Sequence, residues 1–350
     1  MLKNKIIAPI LFLYHMIWMV VAYIFINHDG GDAIGYWWLG VDTKDISWFE
    51  IIQPGTNIIK AFTFPLAQIF QVPFIFGFIL FALWSFWGWH LLLKFFQNLE
   101  LNNLALEILA LAFLFSPNQH FWTSLLGKEA MLWTPLVILI INILNQKCKN
   151  VGFVLSFILI LFIRPHIAII VGLGIGLYFI LKTKGTLLQR VYIIMGVVFL
   201  TITTFYLLDQ IMLGNDSVMI KIQNYYNAYN RVLRYTDGYV PLEDYNLFFK
   251  IWTFYFRPYL TEASSWLYWF VGVENTVALL YVLIFLVLFF KFKIYSRLQL
   301  EFVILLMIGI GLTLMYVYAY ANYGLILRTK VLIIPFFIIP MFLGYSNRNK

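Results

Sequence analysis

Eleven residues of this chain have side chains able to do chemistry and sit where apolar stretches begin or end: Asp29, Asp32, His120, Lys128, Glu129, Arg164, His166, Arg257, Glu262, Asn322 and Arg328. With the spans counted as below, all eleven fall on one side of a membrane. Charge is costly in hydrocarbon, so ionisable groups at membrane depth are functional-site candidates. Scattered over both faces they would be ordinary solvation of helix ends. Gathered on one face, they point to a reaction or binding chamber opening away from the cytoplasm.

The first loop, Asn27-His28-Asp29-Gly30-Gly31-Asp32-Ala33-Ile34-Gly35-Tyr36, follows the first apolar stretch directly. A carboxylate held near the headgroup boundary, partly desolvated, accepts a proton from a hydroxyl nucleophile or helps to hold a divalent cation. The paired glycines let the backbone turn tightly and present either aspartate. The same residues also read as a solvated Asp-Gly turn capping an interfacial helix. Lys128 and Glu129 lie one turn inside the stretch Thr123–Leu144, deeper than snorkelling needs. A pair facing the bundle costs less than lone charges.

Three arginines, Arg164, Arg257 and Arg328, complete the set, and Pro165 and Pro258 follow two of them. The guanidinium fork suits phosphate oxygens better than an ammonium does. Snorkelling to headgroups explains any one of them; three on a single face favour anion binding. Arg231 and Arg234 fall mid-loop, where solvation suffices. His15 and His90 lie within apolar stretches and read as hydrogen-bonded core residues. There is no Gly-rich nucleotide loop and no His/Cys cluster, and the lone Cys148 excludes a disulfide framework.

The elements that must position these residues follow from composition. The 350 residues are 62% hydrophobic and 11% charged, with mean hydropathy +0.84, less than half the charge of a soluble domain. Runs such as Val277–Phe290 lack the alternation of barrel strands. The chain therefore reads as an all-α polytopic integral membrane protein, one domain over 1–350. About ten spans are expected: Ile6–Ile26, Pro73–Leu93, Leu104–Phe115, Thr123–Leu144, Val151–Ile163, His166–Leu181, Val191–Leu208, Trp266–Phe290, Leu298–Tyr320 and Val331–Tyr345. The basic start and apolar body of Lys3–Ile26 read as a retained first span.

Both termini are expected in the cytoplasm, which places thirteen Lys/Arg inside: Lys3, Lys5, Lys94, Lys147, Lys149, Lys182, Lys184, Arg190, Lys291, Lys293, Arg297, Arg348 and Lys350. This satisfies the positive-inside bias and explains the net charge of +8 without nucleic acid. Val151–Leu181 decides the count. As one helix it would be about 46 Å long, so a hairpin turning at Arg164-Pro165 is expected. The outer loops 27–71 and 209–265, the first and the fourth, carry Ile46–Ile52 and Tyr245–Phe256, expected to lie as interfacial helices.

In order and spacing, these residues resemble the GT-C superfamily of integral-membrane glycosyltransferases, which use polyprenyl-phosphate-linked sugars. Asp32-Ala-Ile-Gly-Tyr36 resembles its first-loop acidic motif. Ser116-Pro117 … Trp122-Thr123-Ser124 … Lys128-Glu129 resembles its entry into a middle span, and Arg164-Pro165 its short-helix turn. Arg257-Pro258 … Glu262 … Glu274-Asn275 resembles its late region, and Asn322-Tyr-Gly324 … Arg328 a motif of bacterial surface-polysaccharide members. Two glycines separate Asp29 from Asp32, where many members have adjacent acids, so either is a candidate base.

The resemblance implies a GT-C-like bundle in the cytoplasmic (inner) membrane and an inverting transfer on its extracytoplasmic face. Asp32, or Asp29, would deprotonate a glycan, lipid or protein acceptor. Arg164, Arg257, Arg328 and Lys128 would hold the donor phosphate. Tyr36, His120, Glu129, His166, Glu262 and Asn322 would line the substrate pocket. A divalent metal is compatible with these residues and not demanded by them. An oligosaccharide-repeat polymerase of the O-antigen type is the next reading. A lipid-linked-sugar flippase or transporter follows, weakened by the lack of matching halves.

Overall fold

The computed structural model describes residues 2–39, 47–99, 101, 103–182, 191–192, 194–196, 198–199, 201–203, 206, 217–236, 238–262, 266–291, 293 and 298–346. It is about 81% helical and has no strands among these residues. Five helical stretches are long and apolar enough to cross a membrane: Ile7–Asp29, Phe74–Asn98, Pro165–Lys182, Tyr268–Lys291 and Tyr323–Tyr345. The membrane class thus stands at five candidate spans. The other expected spans form shorter helices, or in part lie outside the described residues. That last case covers parts of Val191–Leu208, with Ile46, residues 209–216, and the basic residues Lys184, Arg190, Arg297, Arg348 and Lys350.

Contacts divide the chain into two compact units, Met1–Ala168 and Ile169–Lys350. In the first, α1 (Ile7–Asp29) is followed by the loop helices α2 (Asp32–Trp38), α3 (Trp48–Ile51) and α4 (Thr56–Phe64), and a π turn at Pro65–Ile69. Then come α5 (Phe74–Asn98), α6 (Leu104–Leu114), α7 (Pro117–Ser124), α8 (Lys128–Leu144) and α9 (Val151–Ile163). Asn103 and Asn150 start α6 and α9 by accepting the amides of Ala105 and Gly152, the capping that asparagine does well. Arg164 ends α9, because the following proline disfavours helical backbone at that residue. The helix expected from Thr123 instead breaks at Leu125–Gly127 and restarts at Lys128.

Pair contacts fix the helix directions in this unit. Leu2 meets Gln97, His15 meets Ala82 and Tyr23 meets Phe78, so α1 and α5 are antiparallel. Trp84 Nε1 donates to the Met131 carbonyl (3.1 Å), and the Gly88 amide donates to Thr134 Oγ1 (3.1 Å), so α5 and α8 run parallel. Arg164 reaches Glu129 while Gly152 lies beside Ile138, so α8 and α9 are antiparallel. The C-termini of α1 and α9 and the N-termini of α5 and α8 therefore share one end. The opposite end carries Lys3, Lys5, Lys94, Lys147 and Lys149.

The second unit holds most of α10 (Pro165–Lys182), then α11 (Val218–Leu233), α12 (Leu247–Phe256), α13 (Trp266–Lys291), α14 (Leu300–Tyr316), α15 (Tyr323–Ile333) and α16 (Pro335–Ser346). The α10 and α14 helices are tied at one end by Lys182 Nζ, which donates to Glu301 (2.8 Å) and to the Tyr178 hydroxyl (2.6 Å). Tyr239 pairs with Asn322 through an isolated antiparallel bridge. It brings the chain before α12 to the start of α15. The last helical stretch begins at Tyr323, eight residues before the expected Val331, so Arg328 lies within a helix.

Close helix approach depends on small residues, as is usual among membrane helices. A Cβ at Gly88 would stand 2.8 Å from Trp133 Cδ1 and 2.9 Å from the Thr134 backbone, whereas one at Gly35 meets nothing within 4 Å. Gly88→Val is expected to lose about 1–3 kcal/mol through overpacking, and Gly35→Ala to be neutral or slightly stabilising. Thermal unfolding of both variants in lipid nanodiscs checks the difference.

Candidate functional site

The shared end of the first unit brings together Asp29, Asp32, Lys128, Glu129, Arg164 and His166. Gly30 (φ 79°) and Gly31 (φ 147°) make the left-handed turn between the two aspartates, a conformation that glycine adopts without strain. Both aspartates are exposed. Asp29 accepts from His28 Nδ1 at 2.8 Å. Asp32 stands in the first turn of α2, where its Oδ2 accepts the Tyr36 hydroxyl at 3.3 Å. Tyr36 is itself fixed: its ring is buried and its carbonyl accepts Thr63 Oγ1 at 2.5 Å.

Helix α2 is seated on the bundle through Ala33 and Trp37, both fully buried. Trp37 and Leu126 both crowd the open side of Gly77, so α2 lies beside the corner that precedes Lys128. On the other side, the Gly55 amide donates to the Phe162 carbonyl (2.7 Å), anchoring the same loop to the last turn of α9. The loop helices thus cover the end where Arg164 emerges.

Beneath them, Glu129 is fully buried and Arg164 nearly so. The Arg164 guanidinium donates to Glu129 Oε1. Lys128 and His166 are half-buried, and His166 lies within electrostatic reach of both Arg164 and Lys128. Arg164 is therefore already committed to a carboxylate. Lys128, at the first turn of α8, is the more accessible cation, and the helix N-terminus adds its partial positive charge.

His120 occupies a different setting. Its Nδ1 meets His15 Nδ1 at 2.8 Å, its Nε2 meets the Leu114 carbonyl at 2.7 Å, and its ring stacks on Trp89 at 4.2 Å. With His120 donating from Nε2, its Nδ1 accepts from His15, and Ser85 Oγ can donate to His15 Nε2 (3.0 Å). His15 is the hydrogen-bonded core residue expected of it. Both ring nitrogens of His120 serve the packing of α1, α5 and α7.

In the second unit, Arg257 follows α12 and is joined to Pro258 by a cis peptide bond. Glu262 receives Arg257 Nη2 and also Nε (3.0 and 3.1 Å), together with the Tyr259 amide (2.8 Å) and the Tyr323 hydroxyl (3.4 Å). Arg257 Nη1 donates to the Tyr245 hydroxyl at 3.1 Å. The rings of Tyr245, Phe249, Tyr259 and Tyr323 stand 5.5–5.7 Å from the guanidinium carbon, a cation–π enclosure. Asn322 caps α15 through the Leu325 amide (3.3 Å) and donates to Thr236 Oγ1 (2.9 Å). Arg328 is half-buried within α15.

Sequence reasoning missed Tyr245, Tyr259 and Tyr323 as partners of Arg257. Their only signal is aromatic spacing around the Arg-Pro turn, which is common in interfacial segments. Among the described residues, no group of three or more His, Cys, Asp or Glu is placed to hold a metal ion. No family profile, curated protein or solved structure matches the chain.

Burial pushes the Glu262 carboxyl up, but the hydrogen bonds from Arg257 and the Tyr259 amide outweigh it, holding the group below the usual 4.5. Burial likewise opposes the Arg257 charge, and Glu262 and Tyr245 overcome it, raising that group. A depressed carboxyl contributes stability that is complete above its unfolded value and lost as pH falls through the folded one. The Glu262 contribution should therefore be intact at pH 7 and disappear below about pH 4.5. Melting curves between pH 7 and 3 should show Glu262→Gln losing stability at neutral pH and converging on the wild type in acid. Breaking the buried pair in the first unit is expected to cost more. Glu129→Ala strands the Arg164 charge, at about 3–5 kcal/mol, and Glu129→Leu combined with Arg164→Leu should recover part of that loss in the same assay.

Proposed function

We propose that the protein is a membrane glycosyltransferase that moves a sugar from a polyprenyl-phosphate-type carrier to a hydroxyl acceptor. The observation that carries this reading is the juxtaposition in the first unit: an exposed Asp32, oriented by Tyr36, at the same bundle end as the half-buried Lys128. A carboxylate and a cation suit transfer of a glycosyl group from a sugar phosphate to a hydroxyl. The Asp32 carboxylate takes the acceptor proton while the acceptor oxygen bonds to the anomeric carbon. The bond from that carbon to the phosphate oxygen breaks with its electrons. Lys128 and the start of α8 then stabilise the phosphate that departs, and such electrostatic stabilisation is often the largest catalytic contribution.

The committed state of Arg164 changes its part in this reading. Held by Glu129, it positions α9 against α8 and sets the field beneath the site, while Lys128 makes the direct phosphate contact. His166 and Tyr36 stand at the wall, and Asp29 is the alternative base. In the second unit, Arg257 would meet a phosphate only by exchanging it for Glu262, which keeps the bidentate fork occupied. The basic residues Lys3, Lys5, Lys94, Lys147 and Lys149 at the opposite end support an extracytoplasmic position for the site. They likewise favour a cytoplasmic N-terminus.

Purified protein in nanodiscs, given polyprenyl-phosphate sugars and a glycan acceptor, should release polyprenyl phosphate. Asp32→Asn should lower turnover at least about 100-fold with insertion and melting temperature unchanged, and Asp29→Asn should have the smaller effect. Full activity in Asp32→Asn overturns the mechanism. Products lengthened by whole repeat units would favour the repeat polymerase.

A further inference from the structure

The Arg257 turn has a carbonyl problem that a residue outside it solves. Helix α12 ends at Phe256, and the last carbonyls of any helix lack intrahelical partners. Continued pairing would give the Phe254 carbonyl to the amide of residue 258, which is proline and has none. It would give the Tyr255 carbonyl to the Tyr259 amide, but that amide donates to Glu262 Oε2 at 2.8 Å. The Tyr255 carbonyl therefore needs a donor from elsewhere. The Pro258 carbonyl, on the far side of the turn, needs one too.

Both are supplied from one place. Lys330 Nζ donates to the Tyr255 carbonyl at 3.5 Å and to Asn275 Oδ1 at 2.6 Å. Asn275 Nδ2 in turn donates to the Pro258 carbonyl at 3.0 Å. Lys330 is 3% exposed and Asn275 2%. Glu274 lies within electrostatic reach of the ammonium. An ammonium at this depth is expensive to hold, and an apolar residue would fill the space at lower cost. It is also the favourable charge for the negative end of α12.

The register of α15 ties this anchor to the side chains of the same turn. Lys330 is seven residues beyond Tyr323, hence on the same helix face. Tyr323 touches Glu262 and stands over the Arg257 guanidinium. One face of α15 thus grips the turn twice, at its backbone through Lys330 and at its ion pair through Tyr323. Sequence reasoning gave Lys330 no role.

We propose that Lys330 is a positioning residue for Arg257: acting through the Tyr255 carbonyl and through Asn275, it fixes the backbone from which the guanidinium reaches Glu262. This anchoring does not rest on the function proposed above.

Hydrogen–deuterium exchange of the full chain in nanodiscs tests the anchor, read at the amides of residues 255–262 against those of α14. Lys330→Met and Asn275→Ala should each speed exchange at 255–262 by at least about tenfold, with α14 within about twofold. Lys330→Arg should restore part of the protection, and Tyr323→Phe, which spares the backbone anchor, should leave it. If Lys330→Met does not insert, Asn275→Ala alone decides. Unchanged exchange at 255–262, or an equal rise throughout the unit, overturns the proposal.

Discussion

The first unit depends on a proline that forces a charge into its interior. Pro165 stops α9 at Ile163 and turns Arg164 out of helical backbone, so the guanidinium leaves the helix at the end of the bundle. A lone charge there would be untenable in a low-dielectric surround. Glu129 answers it from the second position of α8, thirty-five residues earlier in the chain. That pairing holds the C-terminus of α9 to the N-terminus of α8. It thereby sets where Lys128, His166 and the loop helices above them come to rest.

The second unit repeats the device with other parts. An arginine again precedes a proline at a helix end, and a glutamate again closes its fork, here only five residues on. Proximity in sequence makes Arg257–Glu262 a local clip, not a tie between helices. The unit therefore needs a separate means of fixing the clip to its surroundings, and Asn275 on α13 and Tyr323 on α15 provide contacts to it. Both arginines sit where the sequence placed them, at breaks. Both differ from the expected open anion sites, because a carboxylate is already seated on each.

Much of the helical skeleton was legible because proline, glycine and asparagine punctuate it. The break at Arg164-Pro165 and the starts of α6 and α9 follow from local chemistry. The sequence pattern carries α8 back to Thr123 because Leu125 and Leu126 continue an apolar run, whereas Gly127 (φ 176°) holds extended backbone just before Lys128. The pattern starts α15 only at Val331, and not at Tyr323, for the opposite reason. Arg328 and Lys330 look like loop residues until Asn275, fifty-five positions away, is seen to receive the ammonium. The Arg164–Glu129 pairing was equally hidden, though both residues were singled out. Periodicity reports what one helix prefers; it carries no information on which distant carboxylate or amide will neutralise a buried cation.

The parallel course of α5 and α8 obliges the polypeptide between them to travel back the full height of the unit. Only two short pieces are available: α6, of 11 residues, and α7, of 8. At 1.5 Å per residue they measure about 16 and 12 Å, so the return is a discontinuous helix with its joint at Phe115-Ser116. Such a joint would leave bare carbonyls in an oily surround, which only neighbouring groups can satisfy. His120 takes the Leu114 oxygen and Tyr14 takes that of Phe115 at 2.9 Å. The buried imidazole pair is thus the seam that lets two half-helices act as one rung.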